Sequence, residues 1–241
     1  MRLNNKFILA SATIIGMVMS SVAYGATVTF NGLDSKFHTT TGGSNVAYPN
    51  GTGYTDPTKV TWGNGGTSGY EFNATNPVFS ENVDTLFSLG TFTHTNQAIN
   101  RGTGISSVNL SVRSDLQFGA VNLGVKIFDF LIKHNETPNT GNGCCNDIVS
   151  ITTLNSTGTF NVGVDVYTLN ILGFASNATN AANGVYSSIF SSPEGGSNSR
   201  ILMASFSVFE GQQPPSPVPL PASLPLLLAG LAGFGVLRRR K

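Results

Sequence analysis

"SVNLSVRS", residues 107–114, places Val108, Leu110 and Val112 at alternate positions, with Asn109, Ser111 and Arg113 between them. Successive side chains of a strand point to opposite faces, so this pattern predicts a β-strand with one buried and one wet face. The same period runs outward from it. "VNLGVKIFDFLIKHNE" (121–136) carries Val121, Leu123, Val125 and Ile127, then changes parity to Phe128, Phe130 and Ile132. A one-residue change of parity predicts a β-bulge at that point. "TFNVGVDV" (159–166) alternates through Phe160, Val162, Val164 and Val166, with a similar shift before Leu169. "ATVTFN", "KVTWG", "YEFN", "LFSLGTFTHTN", "DIVSITT" and "ILMASFSVFE" are further strand candidates. Only "FASNATNAANGVYSS" (174–188) leaves room for a short helix, and it reads equally well as a loop. About nine or ten strands joined by Gly/Asn/Ser turns predict an all-β fold. The expectation is a single antiparallel β-sandwich, jelly-roll-like, spanning 26–212, large enough to bury a true core.

The two ends read as addresses. Residues 1–25 have a positive start at Arg2 and Lys6, an apolar run from Phe7 to Met19, and small residues Ala23 and Gly25 before Ala26. These are the three parts of a secretory signal peptide, with a retained membrane anchor as the alternative. Residues 213–221 form a Pro-rich spacer, which favours an extended chain. Residues 222–241 hold an apolar block, Ala222 to Leu237, ending in Arg238, Arg239, Arg240 and Lys241. As a helix the block is about 24 Å long, against a hydrocarbon core of roughly 30 Å, so it barely spans. The basic tail prefers the cytoplasmic side and agrees with outward export of the domain.

Six of the 13 basic residues lie in these end segments, leaving 7 against 12 acids and a net charge of −5 for residues 26–212. A mildly acidic domain lacks the clustered Lys and Arg that nucleic acid requires.

The stretch Val218-Pro219-Leu220-Pro221-Ala222, followed by the short apolar block and basic tail, resembles the VPLPA form of the PEP-CTERM sorting signal. The resemblance implies a Gram-negative bacterium and an exosortase, a membrane protease-transpeptidase that cuts the tail. It implies passage through the inner membrane to the cell surface or the exopolysaccharide matrix of a biofilm. A plain tail anchor is the alternative. A second resemblance lies in the domain. Trp62-Gly63, "LGTFTHTN" (89–96), "ETPN" (136–139), "DIV" (147–149) and "PEGGSNS" (193–199) are similar to the THxN family of such proteins and to related choice-of-anchor domains. That family is defined by secretion and sorting, so it implies an address and no reaction.

Candidate chemistry is sparse. On the strand "GTFTHTN", Phe92, His94 and Asn96 share a face, so His94 and Asn96 can jointly bind a ligand; a strand-end histidine holding hydrogen bonds is the plainer reading. His38 and His134 stand alone in sequence. With no H-E-x-x-H, no histidine pair and no zinc spacing, no metal-ligating set is expected. No G-x-S-x-G or phosphate-binding loop occurs, and "GGTSGYE" around Ser68 is a Gly-rich turn. Glu71, Asp84, Asp129, Glu136 and Asp147 are available for paired-carboxylate chemistry, with nothing to single out two. Cys144 and Cys145 are adjacent and are the only cysteines. Neighbouring Cα atoms about 3.8 Å apart lie below the usual disulfide range, leaving a strained vicinal ring, intermolecular pairing or free thiols. The oxygens of Glu136, Asn139, Asn142, Asn146 and Asp147 make a structural calcium ion the one cofactor to consider.

These readings converge on an exported, non-enzymatic surface or exopolysaccharide-matrix protein. The alternative is a carbohydrate-binding module, which needs an exposed aromatic platform, with Tyr54, Trp62, Tyr70 and Tyr167 as the residues to examine. A secreted polysaccharide hydrolase ranks behind both.

Overall fold

The computed structural model describes residues 27–75, 78–139, 146–153 and 158–211. The expected signal peptide, the spacer, the Val218–Ala222 motif, the apolar block with Arg238 to Lys241, and Cys144, Cys145 and Asn142 lie outside the described residues.

In chain order the strands are β1 (Thr27–Gly42), β2 (Thr58–Trp62), β3 (Ser68–Ala74), β4 (Phe79–Asn82), β5 (Leu86–Asn96), β6 (Ile105–Phe118), β7 (Val121–Asn135), β8 (Asp147–Thr153), β9 (Thr159–Val162), β10 (Asp165–Ala175), β11 (Ile189–Ser192) and β12 (Gly196–Phe209). A single helical turn, α1 (Ala178–Ala182), falls inside the one segment with room for it; Asn177 caps it by accepting from the Asn180 N–H. The strands form two antiparallel six-stranded sheets, ordered β11-β8-β7-β6-β1-β4 and β2-β3-β5-β12-β10-β9. Packed face to face they make the expected all-β sandwich. Most connections cross from one sheet to the other, and β6–β7–β8 is the one meander of three strands.

In 107–114 Val108, Leu110 and Val112 are buried in the middle of β6 as read, but Ser111 on the opposite face is buried too, held by His38 and Asp129. Two other details of the pattern resolve differently. In β7 the register against β6 is unbroken from Val125 to Lys133, so no bulge lies between Ile127 and Phe128. Val125 and Ile127 sit on the outer face, while Phe128, Phe130 and Ile132 point inward. The bulge falls at Leu123, where Gly124 takes φ +68° opposite Leu116. "TFNVGVDV" is a hairpin rather than one strand. Val162 pairs with Asp165 across Gly163 and Val164, and Gly163 alone carries the positive φ. Gly at the first central position is the type II′ signature, whose twist suits a two-residue hairpin. The second parity change also moves: β10 stays in register from Val166 to Ile171 and breaks before Gly173. The short strands β4 and β11 lacked an alternating signal, because each borrows its order from a longer neighbour, β1 or β8.

The interior is graded along the strands. At one end Phe30 stacks on Phe79 at 4.5 Å and on Phe206 at 5.6 Å, with Phe87 and Phe160 closing the cluster. Each such ring contributes about 1.5–3 kcal/mol when removed from water. At the other end the inward positions pass from Phe92 to His94 and Asn96 on β5, and from Ile132 to His134 on β7. The apolar core thus gives way to a buried polar cluster between the sheets.

Candidate functional site

Period two explains how the polar cluster arises. Phe92, His94 and Asn96 share the inward face of β5, as the sequence predicts, and both polar residues are 0 % exposed. That face meets the other sheet rather than solvent, so the pair cannot receive a ligand at an open surface. β7 carries His134 inward by the same alternation, and β8 opens with Asp147, also fully buried. Just past the end of β7 stands Glu136, and Glu194 follows Pro193 in the turn between β11 and β12. Segments far apart in sequence therefore deliver two imidazoles and three carboxyls to one place.

The contacts are directional. His94 Nδ1 lies 2.8 Å from Ser192 Oγ, while its Nε2 has no hydrogen-bond partner. His134 Nδ1 lies 2.6 Å from Tyr70 Oη. Its Nε2 faces Glu136 Oε2 at 3.1 Å and Asp147 Oδ2 at 3.5 Å. The Thr137 N–H donates to Asp147 Oδ1 at 2.9 Å, leaving Asp147 Oδ2 without a hydrogen bond. Asn96 donates to the Ser192 carbonyl at 2.9 Å, and its own Oδ1 is unpaired. Both Glu194 oxygens and Glu136 Oε1 are buried and accept nothing. The ring of Trp62 stacks on His94 at 6.0 Å with 17° between planes, and the two histidine rings meet at 5.2 Å.

Burial pushes the His94 pKa down to about 3, with the nearby positive form of His134 adding to the effect. Its imidazole is therefore neutral. Burial raises Asp147; the Thr137 N–H opposes this, while the charge on Glu136 adds to it. Glu194 is raised by burial and then by the charges of Asp147 and Glu136. Tyr70 is held well above its ordinary value by burial and by the same two carboxylates, so its hydroxyl stays protonated. Uncompensated acids crowding one buried space is costly, and a cation there would relieve it.

Among the described residues, one ligand-type atom each from His94, His134 and Asp147 lie within 4.8 Å of one another. Glu136, Asp147 and Glu194 form a second such group, sharing Asp147. The sequence carries no metal-ligand spacing, yet each group offers enough ligand-type atoms to be a candidate ion site. A histidine pair 40 positions apart in sequence has no spacing signature, and only the facing of β5 and β7 creates it. The oxygen donors considered for calcium are only partly brought together. Glu136 and Asp147 do converge, but Asn139 and Asn146 are exposed, and two imidazoles lie beside Asp147.

The remaining candidates are placed elsewhere. Trp62, Tyr70 and Tyr167 are buried, and Tyr54 lies under Lys36 and Arg113 at 4.6 and 4.3 Å. They form no exposed aromatic platform. Glu71 is paired with Lys59 at 2.7 Å, Asp129 bonds Ser111, and Ser68 donates to the Gln97 carbonyl. His38 lies between Thr39 and Ser111 hydroxyls. A cleft of about 770 Å³ opens beside the cluster, lined by Arg101, Gly104, Glu136 and Asn139 among others. Through Glu136 it touches the edge of the buried site. Glu194 was not among the sequence candidates, although it lies in "PEGGSNS". Trp62, His94, Glu136, Asp147 and Glu194 come from separate stretches of the sequence and are brought together here with His134. No protein-family model matches the chain, and no curated protein matches it.

Proposed function

We propose that this chain is an exported, non-enzymatic surface or exopolysaccharide-matrix protein, sorted and processed by an exosortase of a Gram-negative host. The observation that supports the reading is the layout of the sequence, with a secretory-type start at 1–25 and the Val218–Ala222 motif, apolar block and basic tail at the other end. Between these segments lies the sandwich, whose last strand, β12, ends at Phe209, shortly before the spacer at 213. Its two six-stranded sheets are built from residues 27–209, and the reading expects them to remain whole once both ends are removed. Among the described residues no helix is long and apolar enough to cross a membrane. The carbohydrate-binding alternative loses support, because the aromatics it would use are buried or covered by cations.

Intact mass spectrometry of the protein recovered from its host, in envelope and matrix fractions, tests this. The expected species lacks residues 1–25 and everything after the Val218–Ala222 region, and any excess mass identifies what the transpeptidase attached. Protein found only in the inner membrane with Leu226 to Lys241 retained would overturn the sorting and the matrix role together.

A further inference from the structure

His94, His134 and Asp147 each have one polar atom anchored and another left facing the cluster. Ser192 Oγ holds His94 Nδ1, Tyr70 Oη holds His134 Nδ1, and the Thr137 N–H holds Asp147 Oδ1. The atoms left are Nε2 of each histidine and Oδ2 of the aspartate. Two of these three, His94 Nε2 and Asp147 Oδ2, are buried without a hydrogen bond. Metal-bound histidines are commonly oriented in this way, with the second ring nitrogen fixed by a neighbouring group. Leaving such atoms unpaired inside a protein is expensive, and most buried polar groups avoid it.

We propose that His94, His134 and Asp147 bind one divalent first-row transition ion between the two sheets, zinc being the reference case, with Glu136 or Glu194 completing its shell. Two imidazole nitrogens with carboxylate oxygens suit such an ion, whereas calcium takes oxygen ligands. One ligand-type atom from each residue already lies within 4.8 Å of the others, and the set needs to close to roughly 3.4 Å around an ion bound at about 2.1 Å. On binding, His134 carries its proton on Nδ1, directed at Tyr70 Oη, so that the Nε2 lone pair meets the ion. His94 neighbours the other face of the cluster from β5, and His134 and Asp147 approach from β7 and β8. The ion therefore ties one sheet to the other at the end of the sandwich where the phenylalanine core stops. This site is independent of how the chain is exported.

Trp62 is the only tryptophan of the chain and stacks on His94, so it reports the site by fluorescence. The full chain in detergent, stripped with a chelator, is titrated with Co²⁺ alone and then with Zn²⁺. The expected result is saturable quenching of Trp62 at one Co²⁺ per chain, reversed by Zn²⁺, and a higher melting midpoint with Zn²⁺. Asp147→Asn and His94→Gln each lower the Co²⁺ affinity by about 100-fold or more. Tyr70→Phe keeps every ligand and lowers it by about 10- to 100-fold. The absence of saturable quenching in the folded chain overturns the proposal. So does a Co²⁺ affinity that neither Asp147→Asn nor His94→Gln lowers.

Discussion

His94 on β5 and His134 on β7 belong to opposite sheets, yet their rings meet edge to face at 5.2 Å inside the sandwich. Each ring is tethered by a hydroxyl through its Nδ1, Ser192 for His94 and Tyr70 for His134. Two imidazoles therefore occupy the place that leucine or phenylalanine would fill in an ordinary sandwich core.

Ser192 is the first residue on which this arrangement can be tested. Its hydroxyl meets His94 Nδ1 and also accepts from Asn198 Nδ2 at 2.9 Å. Ser192→Ala leaves both groups without that partner, and should destabilise the fold by about 1–3 kcal/mol. Ser191→Ala, at an exposed neighbouring position, should stay within about 0.5 kcal/mol of the parent. Urea unfolding of the two variants measures the difference.

The phenylalanine end of the core should respond to volume. Phe206 is fully buried against Phe30, Phe87 and Phe160. Phe206→Ala should cost about 3–5 kcal/mol through lost burial and the cavity left behind. Phe209, three residues on, is 74 % exposed. Phe209→Ala should change the unfolding free energy by less than about 0.5 kcal/mol. Denaturant midpoints at constant m-value compare the pair.

Gly173 marks the bulge of β10, and its backbone is set at φ +129°. A Cβ there would lie 2.3 Å from the Ser187 carbonyl oxygen, which receives the Phe174 N–H in the bridge to Ser187. Gly173→Ala meets both strain and a backbone clash, and should destabilise by at least about 1–3 kcal/mol. Gly196→Ala, with open space around it and no positive φ, is the control. A thermal melt that shows equal midpoints for the two would contradict the assigned bulge.

The pair of Lys59 and Glu71 joins β2 to β3 on the outer face. The hydrogen bond from Lys59 lowers the Glu71 pKa below 4.5, with Asn73 adding a second donor. A carboxyl whose folded pKa is depressed stabilises the fold above its unfolded value, and that contribution is lost as pH falls through the folded one. The pair is partly exposed, so the effect is small. Glu71→Gln should lower stability slightly at pH 7 and leave it nearly unchanged below the folded pKa. Unfolding curves for both proteins across pH 2 to 7 should converge at the acid end.

Much of the architecture was legible in particular residues. Val108, Leu110 and Val112 declared a half-buried strand, and β5 and β8 begin and end where "LFSLGTFTHTN" and "DIVSITT" do. The shared face of His94 and Asn96 was legible too, because side-chain direction in a strand follows from counting by two. Which environment that face meets was not. The alternating stretch 121–127 shows the same gap: Val125 and Ile127 are apolar and regular, yet point outward. Periodicity assigns residues to faces and leaves open which face is covered.

The amino-acid order by itself determined the all-β class, the positions of most of the long strands and the room for one short helical turn. Those properties are local: they depend on alternation and on Gly and Asn at turns. Only the tertiary structure decided that His94, His134, Glu136, Asp147 and Glu194 share one buried space. Their proximity depends on how two sheets face each other and on the register of β7 with β8 and of β8 with β11. Long-range pairing of that kind leaves no mark in the spacing of the residues it unites.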